Sequence, residues 1–422
     1  LARCIEDQKP GLILTVDCGT TSVDSVKEAA ESSVDVIITD HHEISGEPAK
    51  AVALVNPRMS GNPDISDLAG VGVVFKLCHG LIKQGLNDGR DIVKKIDLRD
   101  WLDFVAIGTV TDVVPLMREN RILVSHGLAR LNRTVSIGLK ALMEVARVKG
   151  TVTGYHIGFV LGPRLNAAGR LGGAETALEL LLTSDRARAV DLAKKLDSDN
   201  RERRRIEDSI LKEALDSLNT KFSPDSDYGV AIGGKGWHTG TLGIVASRIC
   251  GRIHRPVILV GFDENGDGKG SGRSVDGLDL VDVLKVCSNH LEGFGGHKMA
   301  AGITIREEKF EEFARAFREE CNRRLLNKGV NVIREVDGVI SLRDIDNEFF
   351  QSVRSLAPFG TGNPEPLWMT RGVGLVGNPR KVGGNGEHLK MRVEEGGVEI
   401  GAFAPGLGNR EIPDGSFDIL FR

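Results

Sequence analysis

The sequence is poor in aromatic residues, in paired cysteines and in any surplus of basic charge. Its 55 Lys and Arg face 59 Asp and Glu, a formal charge of −4, so no global basic field marks the chain for nucleic acid or an anionic membrane. A polyanion would have to be held by a local basic cleft. Aromatic residues make up 5% of the chain, which leaves few rings to serve as stacking platforms. The six cysteines, Cys4, Cys18, Cys78, Cys250, Cys287 and Cys321, are scattered without a C-x-x-C pair or a zinc-site spacing; reduced thiols in the cytoplasm fit best. No run of about 18 or more apolar residues occurs, and the first residues lack the basic-then-apolar pattern of a signal peptide. With 422 residues, 41% hydrophobic and 27% charged, the chain can build two to four domains, each with its own core. It opens on Leu1 and closes on "GSFDILFR", which reads as a strand stopping in mid-run; the expectation is a piece of a longer protein.

What is present begins with short apolar runs: "GLILTVD", "VDVIITD" and "AVALVNP" read as fully buried strands. Between the first two, "TSVDSVKEAAES" spaces Val23, Val26, Ala29 and Ala30 as a helix does. Strand, helix, strand predicts a parallel sheet with right-handed crossovers, in which function gathers at the carboxyl ends of the strands. Asp17 ends the first run and Asp40, His41 and His42 end the second. Burying so many ionisable groups together is costly without a cation, and carboxylates with imidazole suit Mn²⁺ or Mg²⁺ better than zinc. Asp112, after the apolar "WLDFVAIGTVT", reads either as a third acid of that group or as a helix-end residue.

Further along, a long helical region from about Ala174 to Asn219 carries Arg201, Arg204 and Arg205 on one face, either a solvated face or one wall of a polyanion cleft. A second α/β region follows, dense in glycine. In its "GFGGH", read as a glycine-rich turn, backbone N–H groups can approach an anion without Cβ interference, and His297 adds a donor. His238, Arg248 and Arg273 occupy similar settings. From about Glu335, short alternating strands with glycine turns predict a small β-barrel, in which Phe359 and Trp368 are either base-stacking or core residues. "AGVGV" at Ala69–Val73 lacks the third glycine and the acidic residue of a dinucleotide fold.

Together, "TVDCG", "TDHHE", Asn56-Pro57, "LAGVGVVFKL", "GTVTDVVPL" and "GPRLNAAGRL", followed by "GWHTGTLGIVASR", "GSGRS", "GFGGHKMAAG" and "LAPFGTGNPEPLW", resemble the successive motifs of the DHH phosphoesterase superfamily in its RecJ-type arrangement. The resemblance implies an α/β protein: a parallel-sheet DHH domain (1–175), a long connecting helix (176–222), a second α/β, DHH-associated substrate-binding domain (223–328) and a C-terminal OB-type β-barrel binding nucleic acid (329–422). It implies a 5′-to-3′ exonuclease that hydrolyses single-stranded DNA to mononucleotides at a two-ion Mn²⁺ or Mg²⁺ site. Asp17, His41 and Asp112 would be metal ligands, Asp40 an orienting residue and His42 a neighbour of the scissile phosphate. Arg164, Asn166 and Arg170 would bind phosphate, together with His238, Arg248, Ser271, Arg273, Gly295, Gly296 and His297; for the first three the alternative is structural salt bridging. Arg201, Arg205, Phe359 and Trp368 would touch the strand. The implied partners are single-stranded DNA, a single-strand-binding protein and a helicase, with no membrane and a monomeric chain. The family's Asp-x-Asp cluster has no counterpart before Leu14, which is why truncation is expected. Two competing readings are a phosphodiesterase of oligoribonucleotides or cyclic dinucleotides, disfavoured by the long helix and barrel, and a non-catalytic repair scaffold, disfavoured by the retained ligands.

Overall fold

The computed structural model describes residues 1–44, 46–171, 173–326 and 334–422, with the side chains of Arg170, Leu171 and Lys221 also outside the described set. The chain forms two compact units: residues 1–134, 149–160 and 334–422 in one, residues 135–148 and 161–333 in the other.

The first unit opens on a three-stranded parallel sheet in the order β1 (Leu12–Val16), β2 (Asp35–Thr39), β3 (Ala53–Val55). The helix Val23–Glu31 makes the first crossover and buries Val26 and Ala29, where the sequence spacing places them. Register aligns Val16 with Thr39 and Thr39 with Val55, so all three strands end at one level. β2, between two neighbours, is buried along most of its length. β1 departs from the expected full burial: it has one neighbour, and Leu12, Leu14 and Val16 are half-exposed.

The C-terminal part of this unit contains β9 (Gly338–Val339), β10 (Trp368–Val382), β11 (His388–Glu395), β12 (Val398–Ala404) and β13 (Phe417–Phe421). It joins the first part through Leu116, whose N–H donates to the Thr361 carbonyl at 2.7 Å, and through the Arg121 guanidinium on the Leu356 carbonyl, also 2.7 Å. The expected OB-type barrel is present as one five-stranded sheet that does not close among the described residues, in the order β12-β11-β10-β13 with β9 beside β10. β10 pairs with β13 and β9 near its start and with β11 from Gly374 onward, its register to β11 shifting between Val376 and Arg380. Pro379 inside that shift has no N–H for the ladder. β12 and β13 are left as edges.

The second unit holds a five-stranded sheet in the order β4 (Val230–Lys235), β5 (Val257–Phe262), β6 (Asp267–Arg273), β8 (Ala300–Arg306), β7 (Gly293–His297). Only β4 and β5 run parallel. The "GFGGH" segment is therefore β7, a strand rather than a turn. Helices Thr239–Ile253 and Phe310–Leu325 bury apolar faces in this unit's cores. The expected single helix near residues 174–219 is two, Glu175–Leu182 and the 36-residue Arg186–Lys221. The break falls where Asp185 turns its carboxylate onto the N–H groups of Ala187 and Arg188, capping the second helix. No helix of the described residues is long and apolar enough to cross a membrane.

Candidate metal centre

At the shared end of the parallel strands, Asp17 follows β1 in a left-handed backbone conformation, φ 64°, with its N–H on the Thr39 carbonyl at 2.9 Å. This conformation, which asparagine and aspartate tolerate better than most residues, turns the carboxylate toward His41. The His41 Nε2 lies 3.1 Å from Asp17 Oδ1 and 3.3 Å from Asp112 Oδ2. Asp112 caps the end of the helix Leu102–Thr111, so both sequence readings of it hold at once. His41 is buried, and its Nε2, though between two carboxylates, has no hydrogen-bond partner of proper alignment. Buried polar atoms are seldom left unpaired. A nitrogen enclosed beside two carboxylates is a donor set for a divalent cation, and Asp17, His41 and His42 bring ligand atoms within 4.8 Å of one another.

The charges of the cluster act on one another. The Asp17 carboxylate raises the His41 pKa against the opposing effect of burial, and the charges of Asp112 and Asp40 raise it further. Burial pushes the Asp112 carboxyl up, with Asp17 adding repulsion and His41 drawing it back.

Asp40 holds the imidazoles from beneath. It is buried, and its Oδ1 accepts from the N–H of His41 at 2.8 Å, the N–H of His42 at 3.2 Å and the His42 Nδ1 at 2.8 Å, while Oδ2 accepts from the Thr20 N–H at 2.9 Å. Burial pulls its pKa upward, but the hydrogen bonds from Thr20 and His42 outweigh it and hold the carboxyl well below the usual range. With its proton on Nδ1, the half-exposed His42 presents Nε2 to whatever occupies the site.

Two features had no role in the sequence reading. Asn56, quoted there only as part of a motif, is buried; its Nδ2 donates to Thr20 Oγ1 and to the His42 carbonyl, both at 3.0 Å, and Arg58 Nε donates to the His41 carbonyl at 2.9 Å. The signal available in sequence was a polar residue directly after an apolar strand. The second feature is Gly70, first residue of the helix Gly70–Asn87: a Cβ there would sit 2.1 Å from Asp17 Oδ1. The glycine of "AGVGV" makes room for the carboxylate at a helix N-terminus, where a negative charge is favoured. Gly70→Ala is expected to displace Asp17 and weaken Mn²⁺ binding by about tenfold or more with the fold retained. Calorimetric titration beside circular dichroism checks this, and unaltered affinity would remove the close approach from the design of the site.

The remaining predicted residues lie in the second unit or in the C-terminal part of the first. Ser271 and Arg273 on β6, and Gly295, Gly296 and His297 on β7, flank β8: Ser271 and Gly295 both register with Gly302, Arg273 and His297 both with Ala300. A Cβ on Gly243, in the helix that His238 precedes, would lie 2.7 Å from Arg273 Nη2 and 3.0 Å from Ser271 Oγ. The His238 Nδ1 is enclosed with no hydrogen-bond partner. Ser271, Arg273, Gly295, Gly296 and His297 thus share a shelf around β8, and the helix that follows His238 packs against its β6 side. Arg248 is elsewhere, paired with Glu207 at 3.4 Å and Asp208 at 3.0 Å of the long helix.

Arg164 gives Nε and Nη2 to Asp197 Oδ1 at 3.0 and 2.9 Å, and Arg201 takes Asp197 Oδ2 at 3.0 Å, so the structural salt bridge is present. Asn166 is exposed, Arg205 pairs with Glu202 at 3.2 Å, and the Arg170 side chain lies outside the described residues. Trp368 meets Phe349 edge-on at 5.1 Å and Phe359 is half-buried.

A parallel sheet that ends in an Asp-His-His cluster, in a chain that also carries a glycine-rich mixed sheet, defines a DHH-class protein. Family models agree: the DHH family N-terminal domain matches residues 1–109, the DHHA1 domain 225–323 and the RecJ OB domain 336–422. The single-stranded-DNA-specific exonuclease RecJ of Haemophilus influenzae is 39% identical over 96% of this chain and 72% of its own length. The Bacillus subtilis protein of that name is 36% identical over 98% of this chain, which spans about half of it, 51%. The crystal structure of Thermus thermophilus RecJ with Mn²⁺ superposes with a TM-score of 0.82 at 32% identity, covering 100% of this chain and 60% of that one. The chain belongs to the RecJ family.

Proposed function

We propose that the protein is a 5′-to-3′ exonuclease that hydrolyses single-stranded DNA to mononucleotides in repair and recombination, using Mn²⁺ or Mg²⁺. The observation that carries this is the enclosed His41 Nε2, set between the Asp17 and Asp112 carboxylates at 3.1 and 3.3 Å. Relatives sharing the whole arrangement are named for that activity, and Thermus RecJ binds Mn²⁺ and Mg²⁺. In this reading Asp17, His41 and Asp112 hold metal, Asp40 orients His42, and His42 faces the scissile phosphate. Divalent ions would lower the pKa of the attacking water and neutralise charge on the phosphoryl oxygens. The shelf of His238, Ser271, Arg273, Gly295, Gly296 and His297 receives phosphate, and the four-part division expected from the sequence supplies the other functions. A single strand must be supplied by unwinding and is coated once formed, which makes a helicase and a single-strand-binding protein the natural partners of a monomer in the cytoplasm. The test is digestion of 5′- and 3′-labelled single strands and duplexes with Mn²⁺ or chelator. Early release of the 5′ label as a mononucleotide, from single strands only and only with metal, is expected; equal digestion of duplex, or a ladder of internal cuts, overturns the reading.

Metal binding should also follow pH. His41 must be neutral to ligate, and its raised pKa means protons compete at values above its ordinary 6.5. Mn²⁺ affinity is expected to fall by about tenfold per pH unit below that raised value. Without metal the sign reverses. A raised folded pKa contributes stability that is complete below 6.5 and lost as pH rises through the folded value. Melting curves at pH 6 and 8, with and without Mn²⁺, should cross: the metal-free protein favours pH 6 and the Mn²⁺ increment is larger at pH 8. Parallel curves would remove His41 as the titrating ligand.

A further inference from the structure

Two glycines that face each other across the second unit's sheet make room for a side chain that the sequence reading quoted only within a motif. Gly234 of β4 and Gly261 of β5 are register partners. A Cβ on Gly234 would lie 2.1 Å from Trp237 Cε2, and one on Gly261 would lie 2.4 Å from the Trp237 carbonyl oxygen. Glycine inside a strand weakens it and marks a close approach. Here the pair hollows the sheet so that Trp237 sits against it, buried in the cluster that holds Leu242 and Leu259. The indole Nε1–H donates to Glu213 Oε2 at 2.8 Å, and the other carboxylate oxygen, Oε1, accepts from Ser209 Oγ at 3.2 Å. Glu213 and Ser209 belong to the helix Arg186–Lys221, which thus holds the indole by its one polar atom.

The residue after Trp237 is His238, N-cap of the helix Thr239–Ile253. Its carbonyl accepts from the Thr241 N–H at 3.1 Å and from the Thr241 hydroxyl at 2.8 Å. The backbone is therefore held on both sides of the imidazole, by Trp237 before it and by the first helical turn after it. The same helix meets Ser271 and Arg273 closely at Gly243. Packing alone does not call for this arrangement. A phenylalanine would fill an apolar hollow with no polar end to satisfy, whereas a buried indole needs a partner for its N–H. We infer that Trp237 and Glu213 are positioning residues: the Glu213 carboxylate fixes the indole, and the indole fixes the direction from which His238 meets a phosphate. The inference deepens the proposed function and rests on it for the phosphate-binding role of His238.

The test is fluorescence anisotropy with a labelled oligothymidylate and the whole chain in EDTA, so that binding is read without hydrolysis. His238→Ala is expected to weaken binding about tenfold, as loss of a hydrogen bond to a charged group does. Trp237→Phe and Glu213→Leu, which remove the two ends of one hydrogen bond, should each weaken it about fivefold, and the pair together no more than either alone. Glu213 is exposed, so Glu213→Leu decides the matter even where Trp237→Phe fails to fold. Glu213→Gln, whose amide oxygen still accepts from the indole, should bind as the wild type does. In the His238→Ala background, Glu213→Leu should cost nothing further; a residue that merely supported the fold would add its own loss there. Additive losses, unaltered affinity in Glu213→Leu, or a Glu213→Gln as weak as Glu213→Leu overturns the positioning role and leaves the phosphate shelf standing. Unaltered affinity in His238→Ala removes His238 from the shelf and overturns both. A chain that shows the coupling but releases no mononucleotide with Mn²⁺ sinks the exonuclease reading and supports the positioning role.

Discussion

His41→Ala is expected to lower Mn²⁺ affinity by more than about a hundredfold and to abolish metal-dependent hydrolysis. Residues that merely orient a ligand cost about 10- to 100-fold when removed; His41 supplies the donor itself, from a buried position that water cannot fill with the same geometry. Its Nε2 also stands between Asp17 and Asp112, at 3.1 and 3.3 Å. With the imidazole gone, the Asp112 carboxyl loses the neighbour that draws its pKa down while burial and Asp17 go on raising it. Asp112 then binds a proton more readily and metal less. Calorimetric Mn²⁺ titration and release of mononucleotides from a labelled single strand read the two effects. Affinity within about threefold of wild type would show that the ion sits elsewhere.

Asp40→Ala should be the most damaging substitution to the fold around the site. The carboxylate is 3% exposed and accepts from the backbone N–H of Thr20, His41 and His42 and from the His42 ring. A buried donor left without an acceptor costs about 1–3 kcal/mol, and several are orphaned at once, so a loss of about 3–5 kcal/mol is expected. Asp40→Asn separates folding from chemistry. Its oxygen can serve the histidine side, but its amide then faces the Thr20 N–H donor to donor, and the His42 ring loses its anionic partner. Hydrolysis should fall by about a hundredfold in a protein that still folds. Because the folded Asp40 pKa is depressed, its contribution is present above the ordinary carboxylate range and lost only as pH falls through the folded value. The wild type should therefore lose stability in strong acid where Asp40→Asn, already lacking it, declines less. An Asp40→Asn variant with wild-type turnover would remove the orienting role.

The centre was legible in sequence because its elements are local. Asp17 and Asp40-His41-His42 each end an apolar run of strand length, and a parallel sheet places such ends side by side without further information. Gly70 and Asn56 were not legible as parts of it. Gly70 matters because the carboxylate of a residue 53 positions earlier in the numbering lies against it, and Asn56 because it reaches the Thr20 hydroxyl and the His42 carbonyl. Arg164 and Arg248 look alike in sequence as phosphate donors; that Asp197 pairs with the first and Glu207 and Asp208 with the second follows from which helix faces meet.

Alternation and spacing by themselves determined the strand-helix-strand opening, the long charged helix, the short strands of the C-terminal part and the residue types able to hold a divalent ion. These depend on periods of two and 3.6 residues, which a linear sequence displays. Only the tertiary structure decided that "GFGGH" is a strand paired with β8, that β10 changes partners along its length and that the last sheet, among the described residues, is not closed. Each of those depends on register and on the identity of the neighbouring strand, and pairing energies are set between segments far apart in the chain, where no local period records them.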